Sequence, residues 1–241
     1  MIDPQTEIYA LHEGAVTIVF GNRISNSTAE NIRKFNTALL STPFPGFITA
    51  VPAYCTLSIF YKPAVVWNTK TPGFTAFEKV CHYLRNLHVS SENTQITPKK
   101  ISIPVCYGGV FGPDLELLAA HTRLVTEEII TLHSNTTYTV HMIGFLPGFA
   151  YLGGMDSRLS IPRKPRPRAK VPAGAVGIAS EQTGIYALDS PGGWQIIGQT
   201  PLKMFDACRD IPALLEAGSE LVFQSITPEE FTELSQEQHA D

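Results

Sequence analysis

The chain has 241 residues, of which 44% are hydrophobic, and its formal net charge is −4. This composition is typical of a globular protein, and the length allows one large or two small domains. The sequence contains no run of about eighteen apolar residues, and residues 1–14 lack the basic and apolar segments of a secretory signal, so we expect neither a membrane span nor a leader. The mildly acidic balance argues against nucleic acid as a general partner.

The first part of the chain alternates strand and helix patterns. The apolar run 15–20 predicts a strand, and Ser27 with Glu30 has the spacing of a capping box before a helix. Thr75 with Glu78 repeats that spacing before a second helix. Further strands are predicted over 46–51, 55–61 and 101–106. This order predicts a ferredoxin-like α+β domain over 1–92, with a polar linker at 90–100 that leaves the 101–106 strand assignable to either side.

The second part of the chain has a different pattern of apolar residues, glycine and proline. Short helices are predicted over 113–121 and 127–133, and Thr227 with Glu230 has the spacing to begin a last helix. From Tyr138 onwards, short apolar runs are separated by glycine and proline, which favours a β-barrel or sandwich over helices. We therefore predict a mainly-β domain over 99–236.

The four cysteines are scattered and form no Cys-x-x-Cys pair; they are Cys55, Cys81, Cys106 and Cys208. Three of them lie inside apolar patterns, where a thiol usually serves as a small hydrophobic side chain. We expect buried, reduced thiols and a cytoplasmic protein.

Four segments are unusually rich in glycine and proline, at 144–154, 162–174, 182–186 and 190–194. Glycine lets the backbone approach a ligand closely, and proline holds a loop in one shape. The pattern fits a concave site at a barrel mouth with aromatic walls, and equally fits tight turns whose aromatic residues fill a core. The candidate substrate or nucleotide contacts in these segments are Pro147, Gly148, Phe149, Tyr151, Arg163, Arg166, Arg168, Pro172, Gly174, Gln182, Thr183, Tyr186, Ser190, Gly192, Gly193 and Trp194.

A basic stretch lies inside the second of these segments and just before it. Six cations occur between Arg158 and Lys170, and no acidic residue occurs from Ser157 to Ser180. Arginine matches carboxylate and phosphate oxygens in a two-pronged geometry, so the stretch fits a contact for an anionic substrate, a nucleotide phosphate or an acidic partner. A solvated loop stiffened by proline fits the charge pattern equally well.

Several kinds of active site leave no trace in the sequence. There is no phosphate-binding Gly-x-x-x-x-Gly-Lys-Ser/Thr loop, no Gly-x-Ser-x-Gly elbow and no His-Glu-x-x-His pair. The seven histidines show no metal-ligand spacing, so we predict neither a metal nor an organic cofactor held by this chain. His133 and His141 are expected to be structural. The catalytic residues are not identified, and His121 is the single histidine retained as a candidate because it ends a helix just after a glycine-rich loop.

The glycine- and proline-rich segments resemble those of the allophanate hydrolase subunit 1 or KipI-like family, which includes the B subunits of 5-oxoprolinases. The matching stretches occur in the family's order over nearly the whole chain; they include IPVCYGG (103–109), GFLPGFAYLGGMD (144–156), PRPRAKVPAGAVGIASEQTGIY (165–186) and SPGGWQIIGQTP (190–201). Four residues at three sites depart from the family's usual pattern: Val110-Phe111, Ala187 and Gln199. Because the acid at 110 and the arginine at 199 are missing, the resemblance implies no charge-dependent role at those two sites.

The resemblance implies an α+β domain followed by a cyclophilin-like β-barrel. It also implies a non-autonomous subunit that acts with a homologue of the 5-oxoprolinase C subunit (allophanate hydrolase subunit 2) and a third hydrolase subunit. Together they would open 5-oxoproline to glutamate with ATP, which this chain would share with its partner. Relatives in the same family inhibit a sporulation histidine kinase or take part in urea and allophanate metabolism. The sequence leaves these alternatives open, because one scaffold carries all three functions.

Overall fold

The structure is a computed structural model that describes residues 6–23, 25–89 and 100–237, without the side chain of Asn26. It is a mixed α/β protein, and its described residues fall into two compact units, one before and one after residues 90–99. The linker predicted at 90–100 lies, except for Lys100, outside the described residues.

The first unit contains an antiparallel sheet of four strands in the order β1-β2-β4-β3. Its strands are β1 Ile8–His12, β2 Ala15–Val19, β3 Phe47–Pro52 and β4 Thr56–Tyr61. Its helices are α1 Asn26–Ser41, α2 Pro63–Trp67 and α3 Ala76–Asn86. The residues of β4 alternate in burial, which places Leu57 and Ile59 in one core with Phe35 of α1 and Leu84 of α3. Each such buried side chain contributes about 1.5–3 kcal/mol.

The helix starts of this unit depend on local capping. The capping box at Thr75 and Glu78 is confirmed, since each side chain bonds the backbone of the other. The cap predicted at Ser27 is wrong: α1 begins earlier, and Ser25 Oγ accepts the N–H of Thr28 at 3.1 Å. Both serines have a helix-capping side chain, but only Ser25 has the extended backbone that precedes the first turn.

The ferredoxin-like order predicted for this unit is not confirmed. The strand expected at 101–106 to complete it lies in the second unit, where it forms part of β5 (Lys100–Tyr107). The fourth strand of the sheet is instead β1, which the sequence analysis did not predict. A tight turn at Glu13 and Gly14 pairs β1 with β2. The edge of the sheet next to β2 is therefore formed by β1, the preceding strand in the sequence, and not by the distant strand at 101–106.

The second unit is built on a closed barrel of seven strands in the order β10-β7-β6-β13-β5-β12-β9. The strands of the second unit that follow β5, inside and outside the barrel, are β6 Thr137–Ile143, β7 Ala150–Gly153, β8 Arg168–Val171, β9 Ala175–Ala179, β10 Gln182–Ile185, β11 Ser190–Gly192, β12 Gln195–Gln199 and β13 Glu220–Ile226. β5 and β13 pair in parallel, the other barrel pairs are antiparallel, and β8 and β11 form a separate two-stranded sheet. The barrel that was predicted as an alternative to a sandwich is thus confirmed.

Three helices of the second unit are α4 Leu115–Thr122, α5 Thr126–Ser134 and α6 Pro228–Glu237. The first begins two residues after the predicted start at 113, because Pro113 and Asp114 form the turn that precedes it. The start of α6 is as predicted: the N–H of Thr227 donates to Glu230 Oε2 at 2.8 Å, and the N–H of Glu230 donates to Thr227 Oγ1 at 3.2 Å. Among the described residues, no helix has the length and apolar character needed to cross a bilayer.

The cysteines differ in part from the prediction. All four are free thiols, as expected, but only Cys106 is buried. Cys55 and Cys81 are half-buried, and Cys208 is exposed. The apolar neighbours of Cys55 and Cys81 in the sequence point into the core of the first unit, whereas the thiols themselves lie at its margin.

Candidate functional site

The barrel wall carries apolar side chains on both of its faces. On β9, Val176 and Ile178 belong to the barrel interior, whereas Ala175 and Ala179 belong to a second cluster on the other side of the strand. Successive strand residues point to opposite faces, so this second cluster covers the outside of the barrel. We call it the outer aromatic cluster; its members are Phe149, Val171, Ala175, Ala179, Tyr186, Trp194 and Ile196, with Leu146 and Tyr151 at its edge.

Phe149 lies at the centre of the outer aromatic cluster. Its ring is edge-to-face with Tyr186 at 5.0 Å and with Trp194 at 5.5 Å, and it is tilted against Tyr151 at 4.7 Å. Phe149, Tyr186 and Trp194 are at most 4% exposed, so these three residues fill a core and do not form the open walls of a site. Tyr151 is half-buried and keeps part of its ring at the surface. The sequence therefore identified rings that do come together, but only Tyr151 of the four remains accessible.

The predicted glycines serve mainly the packing of the protein itself. A Cβ atom on Gly174 would lie 2.3 Å from the carbonyl oxygen of Thr200, and its φ of +80° is the left-handed conformation that glycine favours. A Cβ atom on Gly192 would lie 2.4 Å from the hydroxyl of Tyr186. Gly148 is likewise crowded and has a φ of +77°. The close approach that we expected towards a ligand is, at these three positions, an approach to neighbouring protein atoms.

Thr183 is not a loop contact but a residue of the barrel interior. It is fully buried on β10, and its hydroxyl donates to the carbonyl oxygen of Gly177 at 3.1 Å. The hydroxyl oxygen of Thr183 also accepts from Nε2 of His133 at 3.0 Å, and Nδ1 of His133 accepts from the hydroxyl of Tyr107 at 2.8 Å. His133 is thus a neutral structural residue, as predicted, and burial lowers its pKa to about 3.

The other predicted contacts are scattered around the outer aromatic cluster. Pro147 and Pro172 are exposed, Gln182 and Gly193 are half-buried, and the hydroxyl-bearing Ser190 is buried. A Cβ atom on Gly193 would meet no atom closer than 3.7 Å, so the surface at this position has free space.

Asp114 organises the basic stretch, although the sequence analysis did not single it out. Its buried carboxylate accepts from Arg168 Nη2 at 2.7 Å, from Lys164 Nζ at 2.9 Å and from the N–H of Ile196 at 2.7 Å. Burial alone would raise the pKa of Asp114, but the hydrogen bonds from Arg168, Lys164 and Ile196 outweigh it and lower the pKa. The carboxylate stays charged and ties the start of α4 to β8 and β12.

Arg168, which the sequence predicts as an anion contact, is half-buried within this network. Its guanidinium is already paired with Asp114, and a second nitrogen lies 3.4 Å from the carbonyl oxygen of Trp194. The partner is 54 positions away in the sequence, so nothing within the basic stretch reveals it. Arg168 therefore fixes the loop in place.

Two more cations of the stretch form ion pairs at the surface. Arg158 Nη2 lies 2.7 Å from Asp156, and Lys170 Nζ lies 2.7 Å from Asp189. Water screens exposed ion pairs of this kind, so they shape the local charge more than the stability.

Arg163 and Arg166 are the cations of the stretch without a carboxylate within 4.0 Å in the part of the chain that the structure describes. Both are exposed. The guanidinium carbon of Arg163 lies 5.8 Å from the centre of the Trp194 ring, a cation–π distance. Burial raises the pKa of Tyr151, and the nearby charge of Arg163 opposes that rise. Arg163 is thus a positive charge held at the edge of the outer aromatic cluster.

The catalytic candidate His121 is exposed in the last turn of α4, and no described contact links it to the outer aromatic cluster. No group of three or more histidine, cysteine or acidic residues among the described residues is placed to hold a metal ion. The arrangement on this chain is suited to binding an anion beside aromatic rings.

Two residues that matter here were missed. Only an indirect indication of Asp114 was present in the sequence: a cluster of cations in an acidic chain requires a carboxylate from elsewhere in the sequence as its counter-charge. Phe145 lies within one of the glycine-rich segments but was not selected; it is 61% exposed and its ring is edge-to-face with Phe149 at 5.6 Å.

The family model described as carboxyltransferase domain, subdomain C and D, matches residues 6–215. The B subunit of 5-oxoprolinase from Bacillus subtilis (strain 168) is 40% identical over 227 residues, which cover 93% of this chain and 95% of that protein. The B subunit of 5-oxoprolinase from Escherichia coli O157:H7 is 36% identical, and the match covers 89% of this chain and 94% of that protein.

Among solved structures, the TTHA0988 protein superposes with a TM-score of 0.75 and 33% identity, over 88% of this chain. The aligned part is 40% of the TTHA0988 chain, so our chain spans about two fifths of the length of that protein. The matches to whole proteins of similar length decide the assignment. The chain belongs to the carboxyltransferase domain, subdomain C and D, family and, within it, to the family of 5-oxoprolinase B subunits.

Proposed function

We propose that this chain is a non-autonomous subunit of an ATP-dependent 5-oxoprolinase. The assembly would convert 5-oxo-L-proline, ATP and water into L-glutamate, ADP and phosphate. Its partners would be a homologue of the C subunit and a third hydrolase subunit. The name of a B subunit, carried by relatives at 36–40% identity over most of their length, supports membership of a multi-subunit enzyme.

The chemistry of the reaction supports a division of labour. A lactam is stable, and transferring a phosphoryl group from ATP to its carbonyl oxygen creates a leaving group before water attacks. Among the described residues no group of three or more histidine, cysteine or acidic side chains is placed to hold a metal ion, and no described contact links the single catalytic candidate, His121, to the outer aromatic cluster. The part assigned to this chain is therefore binding: it holds an anionic group of the substrate or of ATP in a site shared with a partner.

The observation that carries this assignment is the state of Arg163. Arg168 and Lys164 are both paired with the single carboxylate of Asp114, whereas Arg163 has no carboxylate within 4.0 Å among the described residues and lies against Trp194. Arg166 is the second cation available to an anion. A guanidinium can donate two parallel hydrogen bonds to a carboxylate or phosphate, which gives such a contact both strength and direction.

The finer fold assignments belong to the same proposal. We assign residues 1–92 to a domain related to the ferredoxin-like fold, with β1 in place of the last strand, and residues 99–236 to a cyclophilin-like barrel domain. The antiparallel order β1-β2-β4-β3 and the closed barrel support these assignments. Four free thiols fit a reducing compartment, so we place the assembly in the cytoplasm.

A reconstitution in which subunits are added one at a time tests the proposal. ATP hydrolysis that depends on 5-oxoproline, and glutamate formation, should appear only when this chain and both partners are present. Robust turnover by the isolated chain, or full turnover without it, would overturn the proposal. An inhibitor of a histidine kinase, the alternative function, would leave this assay silent and lower kinase autophosphorylation instead.

A further inference from the structure

Phe145 combines exposure with an unfavourable backbone. Its side chain is 61% exposed and its φ is +68°, in the left-handed region that bulky residues avoid. The carbonyl oxygen of Gly144 accepts the N–H of Leu146 at 2.8 Å, so Phe145 is the central residue of a three-residue turn. Neither burial nor local geometry explains a phenylalanine here, and strained residues of this kind concentrate at ligand-binding sites.

The ring of Phe145 is linked to Arg163 through the rings that lie between them. Phe145 and Tyr151 both contact the ring of Phe149, at 5.6 Å and 4.7 Å. Tyr151 and Arg163 both lie beside Trp194, at 5.9 Å and 5.8 Å from its ring centre. Two accessible rings and one guanidinium are therefore supported by the same buried pair of aromatic residues.

We propose that Phe145, Tyr151 and Arg163 form one binding surface for an anion that is joined to a flat ring. Arg163 contacts the anion, and Phe145 lies against the ring. This inference rests on the proposed function, and it adds a specificity-determining residue to the site. Two reactants have the required chemistry: 5-oxoproline, a flat lactam with a carboxylate, and ATP, a purine with phosphates.

The test is Phe145→Gly in the reconstituted enzyme. Glycine adopts the left-handed conformation without cost, so the midpoint of thermal unfolding should stay equal or rise. The lost ring contact should raise KM about threefold to tenfold with little change in kcat. The reactant whose KM rises, 5-oxoproline or ATP, identifies the bound ring. Phe145→Tyr keeps the ring and should restore the parent KM, and Phe74→Gly, at a 90% exposed phenylalanine of the first unit, is the control expected to change neither KM.

Three outcomes would overturn the inference while the parent enzyme is active. They are unchanged KM values for both reactants, a lowered unfolding midpoint that shows a packing role, and weaker subunit association with normal KM at saturating partner. An inactive parent assembly would instead refute the proposed function on which the inference rests.

Discussion

The carboxylate of Asp114 and the guanidinium of Arg168 meet at 2.7 Å across 54 positions of sequence. Asp114 precedes α4, and Arg168 begins β8, so the pair joins a helix start to the two-stranded sheet outside the barrel. The same carboxylate also holds Lys164 and the N–H of Ile196. The basic stretch thus contains cations that are paired within the loop and two exposed arginines, Arg163 and Arg166, for which we propose an anion.

Replacing Arg168 should therefore lower stability. Arg168→Ala leaves a carboxylate that is 5% exposed with one cation fewer, and losing such a charge-assisted hydrogen bond costs about 1.5–3 kcal/mol. Arg166→Ala, at an exposed residue, should change the free energy of unfolding by less than about 0.5 kcal/mol. Urea denaturation of both variants measures the difference. Equal stabilities would show that the Asp114 network contributes nothing to the fold.

The buried His133 should make stability depend on pH. Its folded pKa is about 3, against about 6.5 in the unfolded chain. Between these values only the unfolded chain binds the proton, so the free energy of unfolding decreases as pH falls, with a slope of up to about 1.4 kcal/mol per pH unit. Burial also lowers the pKa of His141, which acts in the same direction. Denaturation at pH 6.5 and at pH 5.5 measures the slope, because both values lie above the usual pKa range of aspartate and glutamate.

The variant His133→Gln should reduce that slope, and His121→Gln, at an exposed histidine, should leave it unchanged. The comparison uses slopes, so a general loss of stability in His133→Gln does not obscure it. A slope that is the same in all three proteins would contradict the burial of a neutral imidazole.

Two adjacent glycines offer a matched test of packing beside the outer aromatic cluster. A Cβ atom on Gly192 would lie 2.4 Å from the hydroxyl of the buried Tyr186, whereas a Cβ atom on Gly193 would have no neighbour within 3.7 Å. Gly192→Ala should cost about 1–3 kcal/mol, as overpacking does, and Gly193→Ala should be nearly neutral. Thermal unfolding distinguishes them, and equal midpoints would contradict the packing described for Tyr186.

The division into two units predicts a protease-sensitive segment at 90–100. This stretch is polar and lacks apolar periodicity, and proteases cut first where few contacts cross. Limited proteolysis should release a stable carboxyl-terminal fragment of roughly 140 residues. First cleavage within 140–200 would argue against the boundary.

The features most reliably predicted from the sequence are those that depend on residues only a few positions apart. The capping boxes at Thr75 and Thr227 could be read because both partners lie within one helical turn. The barrel was indicated by short apolar runs. The assignment of β5 stayed open because strand periodicity does not say which sheet a strand joins, and here its partners are β12 and β13.

The site was harder to predict because its contacts are long-range. The loops that hold Phe149, Tyr186 and Trp194 were found from their glycines and prolines, but the sequence did not distinguish a packed core from an open wall. Arg168 was selected as an anion contact because its counter-charge, Asp114, lies far away in the sequence. Phe145 was overlooked because its backbone conformation is a property of the folded turn.

The most direct test of the proposed anion contact is the KM of the reconstituted enzyme carrying Arg163→Ala. If Arg163 holds an anion in the shared site, losing this charge-assisted contact, worth about 1.5–3 kcal/mol, should raise KM for 5-oxoproline or ATP roughly tenfold to a hundredfold, with stability unchanged. Arg158→Ala removes an exposed arginine that is paired with Asp156 and serves as the control, with parent KM values expected. Parent KM values for both reactants in Arg163→Ala would contradict the claim that this chain contributes an anion contact to the enzyme.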